Sequence, residues 1–199
     1  MLCCPPALNG RKEITMHYLH KILVHIPSVH IEEGADRETQ LKQIISHARS
    51  ETECYYERAY DWREDDSAGR WEDEYPQIAY IASDDLEWFL KELEEVNATQ
   101  KGSIDYSLQQ LKETLGTDLA VIADKLWSRP GNNYDAAQGV TEMSAYYLRT
   151  LAQLLYGEYR CDSCFYNTND HTARLYPSDI DMIKQNPEEW ALVMFDYHY

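Results

Sequence analysis

The chain has 199 residues, 44% of them hydrophobic, and a formal net charge of −17 at pH 7. This length and apolar content predict one domain with its own core rather than a disordered segment. The charge repels nucleic acid and anionic lipid, and no stretch approaches the ~20 apolar residues of a membrane span, so both direct nucleic-acid binding and membrane insertion are poor interpretations.

The first fifteen residues differ in character from the rest of the chain. Arg11-Lys12-Glu13 can be encoded by a sequence that contains a bacterial ribosome-binding site, at a suitable distance before Met16. We therefore expect residues 1–15 to be either a translated leader before the natural start or a disordered tail. They lack the apolar core of a secretory signal, which indicates a cytoplasmic protein whose five cysteines are free thiols.

Residues 16–199 carry the hydrophobic periodicity of an α+β fold. Residues 17–26 are β-branched and aromatic, which predicts a strand that Pro27 closes. Apolar residues spaced by threes and fours then predict one long helix over 36–64, with its stripe at Leu41, Ile44, Ile45, Ala48, Tyr55, Tyr56, Ala59 and Trp62.

The next predicted elements are a strand near 77–82, a helix capped by Ser83 or Asp84, and two short helices within 103–127 that are split at Gly116. A loop over 128–139 and a helix from Thr141 to Gly157 follow. The last predicted elements are a hairpin over 159–176 that turns near 167–170, a short helix from Ser178 and a final strand over 190–199. Together they predict a single compact, helix-rich α+β domain with about five strands in an antiparallel or mixed sheet.

Negative charge is concentrated in one segment. Residues 51–95 contain sixteen carboxylates and four basic residues, a net of −12 out of −17. On the predicted long helix, Glu53, Glu57, Asp61 and Asp65 follow one another four apart and would form a row with ~6 Å between neighbours. Such a row has a charge density similar to that of a phosphate backbone.

This acidic face predicts a surface that binds a basic partner. Trp62, Trp71, Tyr75 and Trp88 lie among the acids and would supply apolar anchors. The predicted partner-binding residues are Glu53, Glu57, Asp61, Trp62, Glu64, Asp65, Asp66, Trp71, Glu72, Asp73, Glu74, Asp85 and Glu92.

The first functional hypothesis is an inhibitor that mimics nucleic acid and occupies the basic channel of a bacterial nucleic-acid enzyme. Such an inhibitor would belong with the anti-restriction and anti-CRISPR proteins of mobile elements. This analogy rests on charge alone. The alternative is an acidic cytosolic protein that charge repulsion keeps soluble and that has no mimicry role.

A second hypothesis is a zinc-stabilised module or an enzyme. Cys161 and Cys164 have the C-x2-C spacing of a zinc knuckle, and His171 together with a residue such as His198 would complete four ligands. The competing interpretation is a pair of buried or strand-lining thiols. The sequence has no G-x-S-x-G, phosphate-binding Gly-rich loop or H-E-x-x-H, so no reaction is indicated.

Four histidines cluster near the start of the predicted domain. Strand alternation places His17 and His25 on one face, ~27 Å apart along an extended chain, and His20 on the other face. With His30 they would therefore occupy separate strand or edge positions rather than bind one metal ion.

Overall fold

The computed structural model describes residues 16–118, 120, 121, 123 and 137–199. Within this part of the chain it contains four α-helices and one five-stranded mixed sheet, which confirms the predicted α+β class. The elements are β1 (His17–His25), α1 (Arg37–Glu53), β2 (Trp62–Glu64), β3 (Ala79–Ile81), α2 (Leu86–Leu115), α3 (Ala137–Tyr156), β4 (Phe165–Asn167), α4 (Pro177–Gln185) and β5 (Trp190–His198).

The sheet is organised around β5, the last strand of the chain. β1 pairs with β5 in antiparallel fashion over nine residues, from His17 opposite His198 to His25 opposite Trp190. On its other side β5 pairs with both β2 and β3, and β4 lies parallel to β1. The two ends of the domain therefore form the centre of its sheet.

Helices cover both faces of this sheet. Ile22 of β1 packs with Ile44 of α1 on one face, whereas Leu23 packs with Phe89 of α2 and Ile183 of α4 on the other. Because both faces are covered, the middle of each central strand is a nearly continuous apolar run, as the sequence shows at 22–24 and 191–195. Among the described residues no helix is sufficiently long and apolar to cross a membrane.

The long helix predicted over 36–64 is wrong beyond Glu53. α1 ends there, residues 54–61 form turns, and Trp62 begins β2. The spacing of Tyr55, Ala59 and Trp62 imitates a helical stripe, but Ala59 and its neighbour Tyr60 instead fill the core beside β5. Glu57 has a φ of +64°, which a helix does not allow.

The second large difference is the length of α2. It runs for 30 residues, through the boundary near residue 102 at which the sequence predicts one helix to end and the next to begin. Its N-cap is Asp85, whose side chain accepts a hydrogen bond from the backbone N–H of Trp88 at 3.0 Å. It ends at Leu115, and Gly116 follows with a φ of +86°, which confirms the predicted break there.

The third helix begins earlier than the sequence predicts. α3 starts at Ala137, inside the loop predicted over 128–139 and ahead of the predicted cap Thr141. The hairpin predicted over 159–176 is reduced to one antiparallel bridge between Asn167 and Thr172, because β4 pairs in parallel with β1 and no second strand follows it in the described residues before α4. The predicted leader 1–15 and most of the predicted second short helix lie outside the described residues.

Candidate functional site

The apolar row on one face of β5 ends in polar residues. Trp190, Leu192 and Met194 point towards α2 and are buried in the core, and the next two residues on the same face are Asp196 and His198. Antiparallel pairing places His17 of β1 directly opposite His198. Two histidines and a carboxylate from the two ends of the domain therefore meet at one end of the sheet.

These three side chains form a compact group, which we call the His–Asp–His site (His17, Asp196 and His198). His17 Nδ1 lies 2.9 Å from Asp196 Oδ1 and 3.0 Å from Oδ2, and the two imidazole rings are 3.6 Å apart between centroids. One ligand atom from each residue lies within 4.8 Å of the other two, and no other such group occurs in the part of the chain that the structure describes.

Asp196 is 2% exposed and its position is fixed by the backbone of a neighbouring loop. The backbone N–H of Arg70 donates to Asp196 Oδ2 at 3.1 Å. The indole of Trp62 packs on His198 at 4.3 Å between centroids. Partial burial, and the neighbouring His17, lower the pKa of His198, so this imidazole is neutral at physiological pH.

Gly69 allows that loop to approach the carboxylate. Its φ is +55°, and a Cβ at this position would lie 2.3 Å from Asp196 Oδ2 and 2.5 Å from Asp196 Cβ. We expect Gly69→Ala to lower the free energy of unfolding by about 2–3 kcal/mol, because it adds both backbone strain and a clash with a buried side chain. Chemical denaturation measures this effect.

Gly34→Ala is the matched control for this prediction. Gly34 has a φ of +78°, and no atom lies within 4 Å of the position of its Cβ. The control therefore carries backbone strain without the clash. Equal losses in the two variants would contradict the close packing of Gly69 on Asp196.

The loop that covers the His–Asp–His site is strongly acidic. Residues 61–74, which we call the acidic loop, contain seven carboxylates and two arginines, a net of −5. The loop includes β2, and the backbone N–H of Asp61 donates to the carbonyl oxygen of His198 at 2.9 Å. Both the start of the loop and its turn at Arg70 are therefore attached to β5.

Many of the predicted partner-binding acids are accessible, but they do not form a helical row. Because α1 ends at Glu53, Glu57 and Asp61 lie in turns and Asp65 follows β2. The following carboxylates between 51 and 95 are exposed and lie farther than 4.0 Å from any side-chain cation of the described residues: Glu57, Asp61, Glu72, Asp73, Glu74, Asp85, Glu87 and Glu94.

Other predicted contact residues have structural partners. Asp65 lies 2.8 Å from the guanidinium of Arg49 and 3.2 Å from that of Arg63, and Glu53 also pairs with Arg63 at 3.2 Å. Glu64 accepts a hydrogen bond from the backbone N–H of Asp66, whose own side chain is 93% exposed. These groups brace the acidic loop.

The prediction that Glu92 contacts a partner is wrong. Its side chain is 7% exposed and lies 2.5 Å from Lys21 Nζ. It also accepts a hydrogen bond from the hydroxyl of Tyr75 at 2.9 Å. The sequence places Glu92 among exposed acids of α2, but the helix turns this residue towards the sheet, where Lys21 of β1 neutralises its charge.

The predicted aromatic anchors differ in accessibility. Trp62 is 48% exposed, Trp71 and Trp88 are half-buried, and Tyr75 is buried. Trp62 is thus the large apolar side chain that the acidic loop itself presents to solvent. Tyr75 belongs to the core beneath the loop.

The structure does not bring the predicted zinc ligands together. Cys161 and Cys164 lie at the ends of one short turn, and His171 contacts Glu51 at 3.4 Å and the hydroxyl of Tyr166 at 3.5 Å. Among the described residues, these three offer no set of ligand atoms within 4.8 Å of one another. Burial raises the pKa of the Cys161 thiol, which disfavours the thiolate that zinc requires.

Sequence reasoning missed His17 and Asp196 as site residues and placed His198 with the cysteines. The signal was present in the final strand, where Asp196 and His198 continue the alternation of Trp190, Leu192 and Met194 with polar groups. Only the pairing of β1 with β5 adds His17. Comparison with protein-family models, with curated proteins and with solved structures finds no match to this chain.

Proposed function

We propose that this protein is an acidic inhibitor that binds a basic surface of a partner protein through the acidic loop. The observation that carries the proposal is the set of unpaired carboxylates held on a braced loop beside an exposed tryptophan. A surface of this charge fits the channel of a nucleic-acid enzyme, which attracts anions. The bacterial anti-restriction or anti-CRISPR type of inhibitor remains the class that we favour.

The charge of the acidic loop favours rapid association with such a partner. Glu72, Asp73 and Glu74 are consecutive and exposed, and Asp61 is exposed near the start of the same loop. Opposite charges accelerate encounter and select against acidic or nucleic-acid partners, and this effect weakens as salt is added. The exposed face of Trp62 would supply the desolvated contact that charge alone does not give.

The bracing of the loop supports binding with little loss of conformational entropy. Arg63 is 5% exposed at its side chain, and its guanidinium lies over the rings of Tyr60 at 5.0 Å and Phe195 at 4.9 Å. From there it pairs with Asp65 inside the loop. A loop fixed before binding loses less entropy in ordering its carboxylates than a free segment does.

The test compares three forms of the full chain as bait in a bacterial lysate. The loop variant carries Asp61→Lys, Glu72→Lys and Asp73→Lys, none of which has a cation partner among the described residues. The control carries Glu32→Lys, Glu33→Lys and Asp105→Lys, which are exposed acids outside residues 51–95 and give the same change in net charge. Captured proteins are identified by mass and then tested as purified enzymes.

We expect the wild type and the control to capture the same nucleic-acid enzyme and inhibit it. The loop variant should bind that enzyme at least about 100-fold more weakly at low salt, because three like-charge contacts replace three favourable ones. Circular dichroism checks that all three forms are folded. Capture that survives the loop changes, or that fails equally in the control, would contradict the proposal.

A further inference from the structure

We propose that His17, Asp196 and His198 bind one divalent transition-metal ion of the zinc type. This proposal does not depend on the proposed inhibitor function. It rests on the side-chain chemistry of three residues that the fold gathers from β1 and β5, and on the loop contacts that hold the central carboxylate.

The donor set suits such an ion. Two imidazole nitrogens and one carboxylate oxygen are typical ligands of Zn²⁺ at sites that leave a position open for water or another ligand. One negative carboxylate and two neutral imidazoles partly neutralise a divalent charge. The adjacent acidic loop, with a net charge of −5 over residues 61–74, further raises the local concentration of cations.

The spacing of the ligand atoms also fits. Bond lengths of about 2.0–2.2 Å in a tetrahedral zinc site place ligand atoms roughly 3.3 Å apart. His17 Nδ1 and Asp196 Oδ1 are 2.9 Å apart, and all three residues offer atoms within 4.8 Å of one another. Small side-chain rotations therefore suffice for binding. The ion takes the place of the hydrogen that His17 Nδ1 shares with Asp196, and the neutral imidazole then carries its single proton on Nε2.

The surroundings of Asp196 resemble the outer contacts that orient metal ligands. The backbone N–H of Arg70 holds Oδ2, and Gly69 leaves room for the carboxylate. The ring of Trp62, on the neighbouring strand β2, contacts the ring of His198 and limits its rotation. An ordinary surface ion pair would need none of these restraints.

The experiment uses the full chain, purified without a polyhistidine tag, stripped with chelator and titrated calorimetrically with zinc chloride. We expect one equivalent of Zn²⁺ to bind to the full chain at this site. His198→Ala, at a partly exposed strand end, should weaken binding by more than about 100-fold while the protein stays folded. Asp196→Asn provides a second variant that preserves side-chain volume.

Two controls separate this site from the alternatives. His30→Ala removes an exposed histidine outside the site and should leave the affinity unchanged. Cys161→Ser with Cys164→Ser tests the thiol pair, and Co²⁺ substitution should give visible bands without a thiolate charge-transfer band. The proposal is overturned if no Zn²⁺ binds at a stoichiometric level, or if binding survives both His198→Ala and Asp196→Asn, or if it depends on the cysteines.

Discussion

Replacement of Glu92 by alanine is expected to lower the free energy of unfolding by about 3–5 kcal/mol. The carboxylate of Glu92 is the charge partner of Lys21, which crosses from β1 into the core on the α2 side of the sheet. The Lys21 side chain is 11% exposed, and its Nζ lies 5.9 Å from the centre of the Tyr75 ring. Without Glu92 the ammonium group is left in an environment that solvates it poorly, because only the more distant Glu95 remains.

The measurement is urea denaturation at pH 7 with two matched variants. Glu95→Ala removes a carboxylate that is 56% exposed and 3.5 Å from Lys21, and it should cost less than about 1 kcal/mol. Lys21→Met combined with Glu92→Leu removes both charges and should recover most of the loss. If Glu92→Ala is as stable as Glu95→Ala, then the Lys21–Glu92 pair is solvated and our account of this core is incorrect.

The same pair shows where inference from sequence stops. Charge counting correctly identifies residues 51–95 as acidic, and hydropathy correctly predicts a helix that begins within this segment. Neither shows that one acid of α2 faces β1, because Lys21 is 71 residues away along the chain. The direction of a side chain on a helix is set by packing, and packing depends on the order of strands in the sheet.

The predictions of secondary structure are wrong where contacts with distant residues determine the conformation. The strands at the two ends of the domain were predictable because each has a long apolar or aromatic run bounded by turn residues. The segment after Glu53 was not, since Tyr55 and Ala59 have the helical spacing but are held by contacts with distant residues. Tyr55 packs on Tyr159 and Tyr166, more than 100 residues later in the chain.

The candidate site depends on the same long-range pairing. The sequence alone places His17 and His198 at opposite ends of the domain, and the strand register brings them into contact. The exposed acids could be predicted because exposure is the usual state of a carboxylate. Three carboxylates of the described residues are buried instead, Glu92, Asp179 and Asp196, and the partners of Glu92 and Asp196 come from distant parts of the chain.

His20 is expected to make the protein less stable as the pH falls below about 6.5. His20 belongs to β1, and its imidazole is fully buried against the turn at Cys161. The carbonyl oxygen of Cys161 can only accept, so Nε2–H donates to it at 2.8 Å, and Nδ1 must accept from the hydroxyl of Tyr159 at 2.8 Å. Burial lowers the pKa of His20 from 6.5 to about 3, so the folded protein keeps this ring neutral.

The sign of the effect is set by which state binds the proton. Between pH 6.5 and about 3 the unfolded chain protonates His20 and the folded chain does not, so protons favour unfolding. The loss amounts to about 1.4 kcal/mol per pH unit within this window, or about 2 kcal/mol between pH 7 and pH 5. Below about pH 3 both states are protonated and His20 adds no further loss.

Comparison of variants isolates this contribution from that of the other titrating groups. The free energy of unfolding is measured by urea denaturation at pH 7, 6 and 5 for the wild type, His20→Gln and His30→Gln. His30 is exposed, so its replacement should leave the pH dependence of stability as it is in the wild type. His20→Gln will be less stable at pH 7, because glutamine cannot reproduce both hydrogen bonds, but its stability should fall by about 2 kcal/mol less between pH 7 and pH 5. Parallel profiles for the wild type and His20→Gln would mean that the folded protein binds this proton as readily as the unfolded chain does. They would contradict the assignment of His20 as a buried, neutral imidazole with two hydrogen bonds.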